Sequence, residues 1–165
     1  MALPVFTAGQ KLRASDLNSI GAVGQLVAAF TSGSGDTLNW TTTEAVGTVL
    51  ATVPFVSGRK YKVEFSGEGN ASSAGANMFL KLRYKAGSTV DTSGTLVPGA
   101  AIAPNIARGN AGDNNTVFVR GYVTAPTTGN YVIVLTGKMS TGTGSCPADG
   151  TPNHLYMISV TCVDV

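Results

Sequence analysis

Imidazole, thiol and clustered carboxylate are the usual raw material of nucleophilic and metal chemistry, and this chain carries little of each. Its single histidine, His154, follows Pro152-Asn153 and opens a predicted strand. A catalytic triad needs an acid and a nucleophile converging on the imidazole. Nothing nearby in sequence supplies them, so His154 reads as structural. Cys146 and Cys162 stand sixteen residues apart, there is no C-x-x-C pair, and His154 alone cannot complete a zinc tetrad with them. The two cysteines could form one bridge that ties residues 140–153 to the last strand. Alternatively they stay reduced, Cys162 buried and Cys146 in a loop. The nine carboxylates are scattered singly, with Glu64 and Glu68 the nearest pair of glutamates. Asp149-Gly150 lacks the other oxygen ligands of a calcium loop. Residues 32–36 and 141–145 are glycine-rich but lack the lysine and following helix of a phosphate loop, so they read as flexible connections. No catalytic residue, metal set or cofactor is expected, and the chain reads as non-enzymatic.

Binding chemistry is better represented. Lys60, Lys62, Lys81, Arg83 and Lys85 form the one notable cluster of charge. If residues 59–66 and 77–85 pair as a hairpin, these five side chains share one face. Such a basic stripe suits an acidic partner, an anionic glycan or a nucleic acid; it is equally the form of a solvated face on a half-buried sheet. Tyr61, Phe65 and Tyr84 fall on the opposite, buried side, which leaves few aromatics for base stacking and disfavours nucleic acid. Trp40, in Asn39-Trp40-Thr41, and Tyr122 are the candidate sugar platforms. A lone tryptophan can also be a core or interface residue.

The elements that would position these groups are strands. Residues 59–66 alternate, with Tyr61, Val63 and Phe65 against Lys60, Lys62 and Glu64. Residues 77–85 repeat the pattern, with Met78, Leu80, Leu82 and Tyr84 against Lys81, Arg83 and Lys85. Residues 116–125 set Val117, Val119 and Val123 against Phe118, Arg120 and Tyr122. Residues 130–138 and 154–164 are apolar on both faces, as strands covered twice would be. Further strands are expected over residues 23–30 and 46–56, with turns at Ser57-Gly58, residues 67–70, residues 127–130 and Asp149-Gly150. This pattern predicts an all-β fold, a β-sandwich or jelly roll of residues 22–165. Two long connections, residues 87–115 and 140–153, are either functional loops or idle insertions. Residues 1–21 differ: an extended arm leads to a short helix capped by Ser15 and ended by Gly21.

Composition narrows the class. Of 165 residues, 43% are hydrophobic, 12% are charged and 21 are glycine, with a formal net charge of +2. Soluble domains average about 25% charged residues. A strongly basic nucleic-acid binder, a coiled coil and a charge-rich disordered chain are therefore disfavoured. From Ala86 to Ala107 the only charge is Asp91. Surface this poor in charge is at home against another subunit, so an oligomer is expected. No apolar run approaches the ~20 residues of a membrane span, and no secretory signal is apparent, so synthesis in a cytoplasm without membrane insertion is expected.

The stretch Val5-Phe6-Thr7-Ala8-Gly9-Gln10-Lys11-Leu12-Arg13-Ala14-Ser15-Asp16-Leu17-Asn18 resembles the opening of virion proteins of tailed bacteriophages, especially those of actinobacteria. Phe6, Gly9, Leu12, Leu17 and Asn18 carry the likeness. It implies a docking arm followed by a β-rich domain that serves as a minor tail protein, a fibre component or a head decoration. The strands opening Gly58-Arg59-Lys60-Tyr61 and Gly129-Asn130-Tyr131 resemble those of trimeric jelly rolls of the tumour-necrosis-factor and C1q type, which implies a trimer by analogy. The implied partners are copies of the chain, other virion proteins and, at a fibre tip, a host-surface glycan.

Overall fold

The computed structural model describes residues 24–106, 111, 114–148 and 154–163. The arm and helix expected over residues 1–21 lie outside them, and no helix occurs among the described residues. Ten strands form there: β1 (Leu26–Thr31), β2 (Leu38–Trp40), β3 (Ala45–Phe55), β4 (Lys60–Ala71), β5 (Met78–Ala86), β6 (Thr95–Ile102), β7 (Asn115–Thr124), β8 (Gly129–Met139), β9 (Gly144–Cys146) and β10 (Met157–Cys162). They make two antiparallel sheets, so the expected β-sandwich is the fold found. One sheet runs β1-β10-β4-β9-β2, with β7 also paired to β4; the other runs β3-β8-β5-β6.

Period-two alternation decides which side chains enter the core between the sheets. Tyr61, Val63 and Phe65 of β4 point inward, as do Met78, Leu80 and Leu82 of β5 and Val117, Val119 and Val123 of β7. They meet Leu50 and Phe55 of β3, Ile133 and Leu135 of β8, and Ile158 and Val160 of β10 in one cluster. Each large side chain buried there contributes roughly 1.5–3 kcal/mol. The strand β8 is buried on both faces, as its sequence predicts, and its second cover comes from the same chain. Val132 and Val134 face away from the core yet are 0% and 3% exposed. Their partners across the register are Lys85 and Arg83 of β5, with Val49 of β3 also opposite Val134. Long cationic side chains lay aliphatic stems over apolar neighbours in this way.

The sandwich is closed along one side and open along the other. On the closed side β6 lies against β7. A Cβ at Gly121 would stand 2.4 Å from the Pro98 carbonyl oxygen, so only glycine permits that approach. On the open side the edges β1 and β3 flank a cleft of ≈ 440 Å³ lined by Leu26, Val27, Pro54, Val56, Tyr61 and Cys162, among others. Both of these edges are irregular. The β3 register shifts twice, Thr52 sits at φ 60° and Pro54 lacks a donor; the β1 register shifts between Leu26 and Ala28.

Two sequence expectations are corrected here. Residues 59–66 and 77–85 form no hairpin: β4 pairs with β7, β9 and β10, and β5 pairs with β6 and β8 in the opposite sheet. The connection between β4 and β5 crosses from one layer to the other. The two long connections are also not structureless, since the first contains β6 and the second contains β9.

Candidate functional site

The split of β4 from β5 divides the basic stripe. Lys60 and Lys62 lie on the outer face of the sheet containing β4, while Lys81, Arg83 and Lys85 lie on the outer face of the other. The second group is engaged by carboxylates. Lys81 Nζ donates to Glu44 at 2.8 Å, Arg83 Nη2 at 2.9 Å and Thr136 Oγ1 at 2.7 Å. Arg83 Nη1 also donates to the Gly94 carbonyl at 3.0 Å. Burial alone would raise the Glu44 pKa, but the donors from Lys81, Thr136 and Arg83 outweigh it and hold the carboxyl at about 2. Lys85 Nζ reaches Asp91 at 2.8 Å, and with Ser93 it holds that carboxyl at about 2. This half of the stripe therefore pins loops to the sheet, and its charge is spent within the chain.

The outer face of β7, β4 and β10 is different. Alternation on β7 turns Phe118, Arg120 and Tyr122 outward, and both rings stay exposed, at 46% and 41%. Opposite them across the register stand Ser66, Glu64 and Lys62 of β4, and beyond those Met157, Ser159 and Thr161 of β10. Arg120 Cζ lies 5.5 Å from the Phe118 ring centroid, and Lys60 Nζ lies 5.2 Å from that of Tyr122. Between the rings, Lys62 Nζ meets Glu64 at 2.6 Å and Arg120 Nη1 lies 3.9 Å from the same carboxylate. Two aromatic faces thus flank a row of donors and acceptors. This face is the candidate recognition surface. The sequence marked Tyr122 but passed over Phe118 and Arg120, although aromatics on the solvent side of an alternating strand were the signal.

Trp40 is not part of any exposed platform. It is 1% exposed, and its ring fills the space over two glycines of neighbouring strands, where a Cβ at Gly47 or Gly137 would come within 2.6 Å. Burial is its role, at the cost of an indole Nε1 with no hydrogen-bond partner among the described residues. Cys146 is corrected in the same sense: it lies in β9, fully buried, and not in a loop. Both cysteines are buried and neither is in a disulfide, and burial pushes the Cys146 thiol up to about 12. His154 stands 3.8 Å from Glu68 and 3.3 Å from the Asn114 amide. No group of three or more metal-ligating side chains occurs among the described residues. Phe6, Gly9, Leu12, Leu17 and Asn18 lie outside the described residues.

A polar recess of ≈ 340 Å³ lies where β9 meets β2 and the end of β4, lined in part by Asn39, Asn70, Ser72, Thr143 and Ser145. Some of its groups already bond one another: Ser145 Oγ donates to Asn70 and the Thr143 amide to Ser72.

No protein-family model matches the chain, and no curated protein matches it. Among solved structures, the VP2 subviral particle of infectious bursal disease virus aligns over 84% of this chain at 10% identity and a TM-score of 0.45. The Gx strain of the same virus aligns over 84% at 11% identity and a TM-score of 0.44. In both cases the chain spans 37% of the matched chain's length. The CBM22-1 xylan-binding domain of Paenibacillus barcinonensis Xyn10C aligns over 88% of this chain and 99% of its own, at 14% identity and a TM-score of 0.38. These scores carry nothing about function.

Proposed function

We propose that the chain is a non-enzymatic structural protein of a virion, an assembling β-sandwich. The observation that carries this reading is the exposed surface around β6. Leu96 is 39% exposed and Val90 45%, Pro98, Gly99 and Ala101 are exposed beside them, and residues 92–107 carry no charge. Leu96 and Ala101 stand opposite Arg83 and Lys81 of β5, whose charge is taken up by Glu44; exposed apolar side chains beside neutralised charge are surface that subunit contacts bury. Support for a bacteriophage particle comes from the N-terminal stretch, with Phe6, Leu12 and Leu17 as docking anchors. That stretch favours a minor tail or fibre component, with head decoration as the second position, and a trimer is the oligomer expected.

Light scattering on the full chain tests the assembly. A multiple of 16.8 kDa is expected, and Leu96→Glu should dissociate it by replacing an apolar contact with a charge that must be desolvated. A wild-type species that stays at 16.8 kDa at high concentration overturns the reading. Deleting residues 1–20 should leave a folded sandwich that no longer joins its particle.

A further inference from the structure

We infer that the outer face of β7, β4 and β10 is a binding site for an acidic polysaccharide, one whose pyranose rings carry carboxylates at intervals. The inference stands on this face alone and does not depend on the assembly proposed through β6.

Three features of the face select the ligand. The first is the pair of rings. Phe118 and Tyr122 are four residues apart on one strand, roughly 13 Å at the rise of a β-strand. Each is exposed on the same side, so an extended chain laid along β7 meets both. The second is the charge that reaches solvent. Arg120 is 50% exposed and Lys60 is exposed, whereas Glu64 is only 19% exposed beneath Lys62 and Arg120. The outermost charges are cationic and complement a carboxylate. The third is the hydrogen-bonding ground beside the rings on β4 and β10, made by Lys62, Glu64, Ser66 and Thr161. A carboxylate and hydroxyls side by side with ammonium and guanidinium groups can both accept from and donate to sugar hydroxyls.

The same features argue against the other occupants. A single-stranded nucleic acid is held by stacking successive bases on aromatic rings, and Phe118 and Tyr122, roughly 13 Å apart along the strand, are too widely spaced for adjacent bases. A second copy of the chain would have to bury Arg120, Lys62 and Glu64 between its apolar contacts, and the cores of subunit interfaces are depleted in charge. On this face Phe118, Tyr122 and Met157 are separated islands and form no continuous patch.

The test is calorimetric titration of the full chain with hyaluronan and alginate oligosaccharides, with neutral dextran oligosaccharides and oligothymidylate as comparison probes. Saturable binding of a uronate oligosaccharide, tighter than that of dextran, is expected. Phe118→Ala combined with Tyr122→Ala should weaken it about tenfold, the scale of losing aromatic anchors. Both side chains are exposed, so the far-ultraviolet circular dichroism should not change. Arg120→Ala should remove the preference for uronate over dextran. Four results would each overturn the inference: no saturable uronate binding, equal binding by the double variant, tighter binding of oligothymidylate, or a fall in molecular mass in the double variant, which would place a second copy on the face.

Discussion

The Glu44 cluster makes a quantitative prediction about charge at the sheet surface. Glu44 precedes β3 and is held by two cations and a buried hydroxyl from β5 and β8. Glu44→Gln keeps an acceptor oxygen for Thr136 but leaves Lys81 and Arg83, 30% and 18% exposed, without their counter-charge. A carboxyl lowered from 4.5 to about 2 corresponds to about 3 kcal/mol of differential stabilisation. The side chain is 24% exposed and the cluster faces solvent on one side, so screening reduces this to about 1–2 kcal/mol. Because folding lowers this pKa, the contribution is full above pH 4.5 and is lost as pH falls toward 2. Urea unfolding followed through the single, buried Trp40 measures it directly. Glu44→Gln should be less stable than wild type by about 1–2 kcal/mol at pH 7, and the gap should close between pH 4.5 and 2. Asp91 titrates over the same window in both proteins and cancels in the difference. A gap that persists unchanged at pH 2, or its absence at pH 7, refutes the electrostatic account.

Two other substitutions and reactions follow from the core. Gly137→Ala places a methyl group 2.6 Å from the Trp40 ring; it should cost about 1–3 kcal/mol and shift Trp40 emission to the red, and an unaltered urea midpoint would contradict the packing described. Cys146, fully buried with its thiol pushed up to about 12, should react with Ellman's reagent only as the protein unfolds; rapid labelling of the native chain at pH 8 would show that β9 opens.

The faces of the strands were legible because alternation depends only on local sequence. Tyr61, Val63 and Phe65, then Met78, Leu80 and Leu82, then Val117, Val119 and Val123 entered the core as their spacing required. Pairing was not legible. Alternation says which side of a strand is apolar but not which sheet it joins, so two basic strands close in sequence were read as one surface when they cover opposite ends of the sandwich's thickness. The burial of Trp40 depends on bare backbone at Gly47 and Gly137, the latter nearly a hundred residues away, and no local pattern announces it. Glu44 meets partners 37 and 39 residues on in β5 and another 92 residues on in β8. The strands β2 and β9 have three residues each, too few to display a period. The two aromatics of β7 were visible on its solvent side, and what they face became clear only once β4 was placed beside them.

The irregular margins of the sandwich bear on how such a chain tolerates crowding. With β6 folded over β7, and with β1 and β3 each broken in register, these four strands offer no long straight row of backbone donors and acceptors to a stranger. In the assembly proposed here, copies of the chain would then meet broadside, surface to surface, and not by strand addition.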